Sequence, residues 1–251
     1  MNDDVSTLTE WIADSPSTVF FGGAGVSTES GIPDFRGANG FYFQEREIPL
    51  ETVLSIDFFT LHPEAYWEWF HEIYRPVEPN GAHRALASLE AAGRLDAVIT
   101  QNIDGLHQRA GSRAVWELHG NWERLVCTSC GAVTSLGDAV TVDGDPVPAC
   151  PSCGGQMRPD IVMYGESLDQ GVIEAAVSAI ARASTLIVAG TSLVVYPAAG
   201  LINYFSGDHL VLINATPTSA DAHADLIIRE PVARTFDQFM DDLRARGIVS
   251  A

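Results

Sequence analysis

Four cysteines have the spacing of a metal site. Cys127 and Cys130 form one C-x-x-C pair, Cys150 and Cys153 form a second, and the 251-residue sequence contains no other cysteine. Two such pairs are typical of a tetrahedral, structural zinc site in which thiolates fill every position; the alternative is a pair of disulfides. Because residues 1–14 are polar and acidic and do not resemble an export signal, we expect a cytoplasmic location, reduced thiols and zinc.

A glycine pair has the position of a phosphate-binding turn. Gly23 and Gly25 follow an apolar segment, 18–21, that predicts a β-strand, and backbone amides in such a turn can approach a pyrophosphate closely. The third glycine of the usual dinucleotide motif is replaced by Thr28, so the pattern alone is equally typical of a plain tight turn.

Asp34, Phe35 and Arg36 form a second candidate cofactor site after this turn. The Arg36 guanidinium could pair with a phosphate, and the Phe35 ring could shield a reactive sugar carbon from water. A surface turn with an ion pair would have the same sequence, so both interpretations stay open.

Alternating strand and helix patterns predict the fold. Strands are expected over 18–21, 97–100, 185–189 and 209–213, and helices over 5–14, 82–92 and 171–183. This order indicates an α/β class with a Rossmann-like, doubly wound parallel sheet, whose ligands bind beyond the carboxyl ends of the strands. Polar clusters follow these strands and would line one cleft: Gly23 to Gly25, Asn102, Asp104, Gly190-Thr191-Ser192 and Asn214.

Each polar cluster also has an ordinary structural explanation. Asn102 and Asp104 suit ribose hydroxyls and a carboxamide. Thr191 and Ser192 could bind phosphate at a helix start, or only cap that helix. Asn214 could hold an adenosine ribose or fill a turn.

His119 is the candidate general base, because its neighbours Glu117-Leu118-His119-Gly120 suggest a cleft and histidine is the usual base near neutral pH. A lone histidine is more often structural. We give that structural role to the remaining histidines: His62, His71, His83, His107, His209 and His223.

The chain is expected to contain two interrupting segments. We assign 1–36, 76–120 and 159–251 to the Rossmann-like domain, 37–75 to an aromatic-rich helical insertion that walls off a cleft, and 121–158 to the zinc module. The insertion and the zinc module together would form the small domain.

The charge balance restricts the partners. There are 33 acidic and 14 basic residues, giving a net charge of −19, which argues against direct nucleic-acid binding because phosphate recognition depends on Lys and Arg. No apolar run is long enough to span a membrane. The acidity would attract a lysine-rich peptide, but its dispersal along the chain favours adaptation to a salt-rich, halophilic cytoplasm.

Several motifs together resemble the sirtuin family. They are Gly23-Ala24-Gly25-Val26-Ser27, Ser30-Gly31-Ile32-Pro33-Asp34-Phe35-Arg36-Gly37, Thr100-Gln101-Asn102-Ile103-Asp104, His119-Gly120, the C-x-x-C pairs, Arg158-Pro159, Gly165-Glu166 and Gly190-Thr191-Ser192-Leu193-Val194-Val195. Sirtuins are NAD-dependent protein-lysine deacylases with a Rossmann domain and a small zinc domain. The resemblance therefore implies an enzyme that removes acetyl groups from lysine and releases nicotinamide and O-acetyl-ADP-ribose.

The resemblance also implies roles for individual residues. His119 and Asn102 would be catalytic, with His119 deprotonating a ribose hydroxyl. The NAD phosphates would contact Gly23, Ala24, Gly25, Arg36, Thr191 and Ser192. The riboses would contact Gln101, Asn102 and Asn214, and the nicotinamide would contact Ile103 and Asp104. Further cofactor contacts would come from Thr28, Asp34, Phe35, Gly190 and, near the adenine, Val232. The acetyl-lysine peptide would pair with Val162, Met163, Tyr164, Gly165, Leu193, Val194 and Val195.

Substrate preference and rival functions follow from the same comparison. Sirtuins that prefer succinyl groups carry a Tyr-x-x-Arg pair, which Phe70 and Ile73 replace here, so we expect acetyl-lysine to be preferred.

The rival functions are a mono-ADP-ribosyltransferase, a non-catalytic NAD- or peptide-binding module, and a dehydrogenase. An intact His119 and a complete acyl channel argue against the transferase, and intact Asn102 and His119 argue against the binding module. Thr28 and the missing acidic residue at the end of a second strand argue against the dehydrogenase.

Overall fold

The structure is a computed structural model and describes residues 3–34, 40, 48–139 and 146–249. Its helices are α1 (Asp3–Asp14), α2 (Leu50–Val53), α3 (Ile56–Leu61), α4 (Pro63–Ile73), α5 (Gly81–Ala91), α6 (Leu106–Ala110), α7 (Gln170–Arg182) and α8 (Val232–Ala245). Its strands are β1 (Thr18–Gly22), β2 (Ala97–Thr100), β3 (Val115–Glu117), β4 (Gly120–Cys127), β5 (Val133–Ser135), β6 (Met157–Ile161), β7 (Thr185–Ala189), β8 (His209–Ile213) and β9 (Leu226–Ile228).

Six of these strands form a parallel sheet in the order β3-β2-β1-β7-β8-β9. When these six are counted along the chain, the order is 3-2-1-4-5-6, which is that of the Rossmann dinucleotide-binding sheet. The order reverses between β1 and β7, and ligands of such sheets bind in the crevice at that reversal. The predicted α/β class and parallel sheet are therefore confirmed.

The sheet is covered on both faces because its central strands are apolar throughout. Successive side chains of a strand point to opposite faces. Phe20 packs in the core with α1, α5 and α8, whereas Val19 and Phe21 pack in a second core with α7. Burial of an aromatic or branched side chain contributes about 1.5–3 kcal/mol, so these two cores hold the sheet rigid.

The amino end of α5 is tied to the segment after β1. Asn80 caps the helix by accepting hydrogen bonds from the amides of Ala82 (2.9 Å) and His83 (3.4 Å), and the His83 Nδ1 accepts from the Asn80 amide (3.3 Å). The Asn80 side-chain amide donates to the Val26 carbonyl at 2.7 Å. A local capping signal thus also positions the glycine turn that begins at Gly23.

A smaller antiparallel sheet, in the order β5-β4-β6, shares an aromatic core with the insertion helices. Tyr66, Trp67 and Phe70 of α4 are buried there against Trp122 of β4. The small sheet runs over Gly120–Ile161, slightly beyond the 121–158 expected for the zinc module, because β6 continues to pair with β4 up to Ile161.

Several elements, among them the short helix α6, were not among the expected ones. The edge strands β3 and β9 have three residues each, too few for a recognisable alternation. Helix α8 does carry a readable signal. Its buried residues recur at helical spacing: Val232, Phe236, Phe239, Met240 and Leu243. Among the described residues, no helix combines the length and the apolarity needed to cross a membrane.

Two buried histidines predict acid sensitivity. The rings of His83 and His107 lie 4.7 Å apart, centroid to centroid, and burial lowers the pKa of His83 to about 4 and that of His107 well below its ordinary value. The unfolded chain therefore takes up protons near pH 6.5 while the folded chain does not, so stability is lost as the pH falls from about 6.5 towards 4. For His83 alone the loss is about 3 kcal/mol.

Urea unfolding at pH 7.5, 6 and 5 measures this loss. In the described part of the chain neither ring nitrogen of His107 has a hydrogen-bond partner, so His107→Leu should change stability at pH 7.5 by about 1 kcal/mol or less. It should also make the fall towards pH 5 shallower, whereas His223→Leu, at an exposed position, should not. An identical slope in all three proteins would contradict the assignment.

Candidate functional site

The turns after β1 and β7 lie in backbone contact at the crevice. The Gly23 amide donates to the Ala189 carbonyl at 3.1 Å, and the Gly25 amide donates to the Gly190 carbonyl at 2.8 Å. A Cβ on Gly25 would lie 2.7 Å from the Gly190 Cα, and Gly190 has φ +59°, so neither position accommodates a side chain without strain. The predicted glycine turn is thus shaped by close approach of two backbones.

Thr191 connects this turn to the end of β2. Its hydroxyl oxygen accepts hydrogen bonds from the Gln101 side-chain amide (3.0 Å) and from the Leu193 backbone amide (3.2 Å). Half-buried Ser192 is next to it in the same loop. Three predicted cofactor residues from two strands therefore lie side by side.

The expectation that a helix starts at Thr191 and Ser192 is wrong. The next helical segment is a 3-10 turn at Ala198–Tyr204. Leu193 has φ +53°, and Pro197 has no amide hydrogen to donate, so helical hydrogen bonding cannot begin at Thr191. Any phosphate contact here comes from a loop.

Asn102 and Asp104 are joined through Ser27. The Ser27 hydroxyl donates to the Asp104 carboxylate at 2.6 Å and accepts from the Asn102 side-chain amide at 3.1 Å. Asp104 also accepts from the Leu106 amide at 3.0 Å, and its burial raises the pKa of the carboxyl. Ser27 was not among the predicted site residues, although its place two residues after Gly25 in the motif is a signal that could have found it.

His119 lies beside the same strand end. Its Nδ1 is 2.8 Å from the Gln101 carbonyl oxygen, which can only accept, so Nδ1 carries the proton and Nε2 is left as the basic atom. Burial lowers the pKa of the ring, and the imidazole is therefore neutral near pH 7. A neutral ring held in this tautomer can take a proton from a substrate hydroxyl.

Charged groups close the turn that carries His119. Glu117 accepts from Asn121 (2.6 Å) and from Arg124 (2.9 Å), and Arg124 also pairs with Asp160 at 2.9 Å. These bonds link the last residue of β3 to β4 and β6. The histidine thus lies between the two sheets.

The remaining predicted cofactor residues are more scattered. Asn214 follows β8 and donates its side-chain amide to the Thr216 carbonyl at 2.8 Å, and Thr28 bonds the Gly25 carbonyl at 3.1 Å. Val232 is 4% exposed and packs in the core, so it offers little side-chain surface to an adenine. Asp34 and Ile103 are half-buried, while Phe35 and Arg36 lie outside the described residues.

The predicted peptide segments are held from several sides. The Val162 amide donates to the His119 carbonyl at 2.9 Å, the Tyr164 amide donates to the Leu54 carbonyl at 2.9 Å, and the Ile56 amide donates to the Tyr164 carbonyl at 3.0 Å. Met163 is buried in the aromatic core. In the second segment Leu193 is buried, Val195 is half-buried and Val194 is exposed.

The four cysteines converge at the end of the small sheet. Their sulfur atoms all lie within 4.8 Å of one another, and three Sγ–Sγ distances are 3.5, 3.6 and 3.7 Å. These distances exclude disulfides, whose sulfurs are about 2.05 Å apart. They match the edge of a tetrahedron with zinc–sulfur bonds of about 2.3 Å, which is about 3.8 Å. Backbone amides in and next to the two C-x-x-C pairs also donate to the sulfurs of Cys127, Cys150 and Cys153.

Comparison with known proteins gives consistent matches. A model of the Sir2 family matches residues 23–197. An NAD-dependent protein deacetylase of Clostridium acetobutylicum is 48% identical over 239 residues, covering 94% of this chain and 97% of the relative. That of Clostridium perfringens is 49% identical over 246 residues, covering 96% of this chain and all of the relative.

Solved structures agree with the sequence matches. A Sir2 His-to-Ala variant with a deacetylated p53 peptide and 3′-O-acetyl-ADP-ribose superposes with a TM-score of 0.87 at 40% identity, covering 98% of this chain and 100% of that one. A Sir2 homologue–NAD complex gives 0.85 at 37% identity, with 96% and 94% covered. The chain therefore belongs to the Sir2 family.

Proposed function

We propose that this chain is an NAD-dependent protein-lysine deacetylase. It converts acetyl-lysine, NAD and water into lysine, nicotinamide and O-acetyl-ADP-ribose. The observation that carries the proposal is the placement of His119, a neutral base in the crevice of a dinucleotide-binding sheet and bonded to the peptide segment. Relatives 48% and 49% identical over nearly the whole chain carry the name of this activity.

The residues around the crevice fit NAD. The backbone contact between Gly25 and Gly190 leaves no Cβ where a pyrophosphate would approach, and the Ala24 amide at the start of the 3-10 turn has no backbone acceptor among the described residues. NAD supplies the sugar carbon from which nicotinamide departs. Gly23, Thr191, Ser192 and Arg36 would hold the phosphates, Gln101, Asn102 and Asn214 the riboses, and Ile103 and Asp104 the nicotinamide amide. Thr28, Asp34, Phe35 and Gly190 would complete the cofactor contacts.

His119 acts as the general base in this proposal. The Gln101 carbonyl holds Nδ1–H, so Nε2 accepts the proton of a ribose hydroxyl, and the positive charge that forms stays next to that carbonyl. Asn102 is held by Ser27, which in turn is held by the carboxylate of Asp104. Both catalytic side chains are thus oriented before substrate binds.

The peptide would enter between the segments 162–165 and 193–195. Tyr164 uses both of its backbone groups to bond the insertion, whereas Gly165 has no backbone partner within the described residues. An extended peptide can therefore add to Gly165 on one side and to Val194 on the other, as a strand adds to a sheet edge. Acetylated lysine in a protein or peptide is the substrate class.

Zinc would have a structural role. All four tetrahedral positions are cysteine sulfur, so no position remains for a reacting water. The zinc module (121–158) and the helical insertion (37–75) would form the small domain, and 1–36, 76–120 and 159–251 the NAD-binding domain.

We also propose a cytoplasmic location and no direct contact with nucleic acid or membranes. A net charge of −19 repels nucleic-acid phosphates and favours basic peptides where salt does not screen it. The same dispersed acidity suits a halophilic cytoplasm.

The His119→Ala variant tests the activity. With an acetyl-lysine peptide, NAD and high-salt buffer, mass spectrometry of the wild type should show deacetylated peptide and O-acetyl-ADP-ribose in equal amounts. Loss of a general base should reduce both at least about 100-fold. His209→Ala is the control, since His209 stacks on Trp11 at the amino end of β8. Nicotinamide release with the acetyl group retained would favour the transferase, and a folded, inactive wild type would favour a binding module.

Acyl preference is a second prediction. Phe70, in the place of the succinyl-binding Tyr, is 1% exposed in the aromatic core, and Ile73 is half-buried; Arg75 is exposed and donates to the Tyr74 carbonyl at 2.8 Å. A succinyl carboxylate would thus be buried without a cation. We expect kcat/KM for an acetyl peptide to be at least about tenfold higher than that for the matched succinyl peptide. This factor corresponds to a difference of about 1.4 kcal/mol in transition-state binding. Equal values would refute this preference.

Metal content tests the zinc site. Elemental analysis should find one zinc per chain in the wild type and much less in Cys130→Ser, with a lower melting temperature because metal binding stabilises the folded state. Ser152→Ala, between Cys150 and Cys153, is the matched control and should keep its zinc. A full zinc content in Cys130→Ser would argue against this ligand set.

A further inference from the structure

An ion pair joins the small sheet to the peptide segment. Arg158, on β6, donates from both terminal nitrogens to the two carboxylate oxygens of Glu166, at 2.7 and 2.6 Å. This two-bond geometry is the strongest arrangement of an arginine with a carboxylate, because both partners are oriented as well as attracted. Arg158 also donates to the Ile161 carbonyl at 2.9 Å, at the end of the same strand.

Glu166 closes a tight turn in the chain. Its carboxylate accepts from the Met163 amide at 2.9 Å, and its own amide donates to the Met163 carbonyl at 3.0 Å. Gly165, inside this turn, has φ +94°. The direction of the exposed Gly165 backbone is therefore set by the two hydrogen bonds between Glu166 and Met163.

The pair is largely shielded from water. The side chains of Arg158 and Glu166 are 19% and 26% exposed, and the Arg158 guanidinium carbon lies 5.8 Å from the centre of the Phe59 ring. The hydrogen bonds and charge of Arg158 offset the burial of Glu166 and lower the pKa of its carboxyl. The pair therefore persists as ions across neutral pH.

The rest of the segment is already fixed by bonds that do not involve this pair. Val162 is bonded to His119, and Tyr164 is bonded to Leu54 and Ile56. The ion pair itself bonds the Ile161 carbonyl and the Met163 amide, so it fixes the start of the turn from Met163 to Glu166. Loss of the pair would thus release that turn and leave the histidine and the NAD crevice in place.

We propose that Arg158 and Glu166 are positioning residues for the acetyl-lysine peptide: their ion pair sets the Met163–Glu166 turn and so the direction of the Gly165 backbone that the peptide bonds. The inference rests on the proposed deacetylase function. Neither residue touches the reacting atoms.

Steady-state kinetics of the full-length, zinc-loaded protein tests the proposal. Glu166→Gln keeps the size of the side chain, Arg158→Lys keeps a positive charge on a chain of similar length, and both remove the doubly bonded ion pair. Each should raise the KM for the acetyl peptide at least about tenfold, while the KM for NAD changes less than about threefold. NAD should still raise the melting temperature of both variants.

A double variant separates positioning from stability. Replacing a buried ion pair by apolar residues of similar size is often neutral for stability, whereas removing one partner is not. Arg158→Met with Glu166→Leu should therefore recover part of the melting temperature that the single variants lose. It should keep the raised peptide KM, because Leu cannot accept from the Met163 amide. Arg246→Met is the control: it breaks a comparable pair with Asp242 on α8.

The outcomes are distinct. The proposal is supported if the double variant is stable and has a raised peptide KM, while the peptide KM of Arg246→Met equals that of the wild type. A double variant that recovers both stability and peptide KM overturns it, as does an equal rise in both KM values. A wild type that does not deacetylate the peptide would instead overturn the proposed function, and this inference with it.

Discussion

The backbone contact between the turns after β1 and β7 is the constraint on which the site depends. The two strands pair in parallel register, with Gly22 opposite Ala189, so the next residues of both leave the sheet at the same place. They can do so only because Gly25 and Gly190 carry no side chain, since a Cβ on Gly25 would lie 2.7 Å from the Gly190 Cα. At the crevice between the two halves of the sheet, the two turns therefore meet backbone to backbone.

A chain of hydrogen bonds connects these turns to His119 and Asn102, the residues that we propose to be catalytic. Gln101 donates to Thr191 and, through its backbone carbonyl, holds the proton of His119. Ser27 connects the glycine turn to Asn102 and Asp104. Because Gln101, Thr191 and His119 each follow a different strand, the position of His119 depends on the strand order of the sheet. The protonation state of His119 is set by burial within the same frame.

The small sheet and the insertion helices support the Met163–Glu166 turn from one side. Aromatic residues of the insertion and the small sheet form one core, with Trp67 and Phe70 completely buried. The cysteine cluster closes the far end of that sheet, and Arg158 on β6 reaches the turn next to the peptide segment. The cysteine cluster is thus connected to the Met163–Glu166 turn through one strand and one ion pair.

The sequence by itself determined the family, the parallel α/β sheet and the cluster of four cysteines, and residues 97–100, 185–189 and 209–213 are strands as predicted. These features depend on residues that are close in the sequence. A C-x-x-C pair brings two cysteines together, and an apolar run bounded by glycine indicates a buried strand. Only the tertiary structure decided that Ser27 bonds Asp104, that no helix begins at Thr191, and that Val232 is buried in the core. The physical reason is that these contacts join residues far apart in the chain, and their distances are set by strand order and packing, which local spacing does not encode.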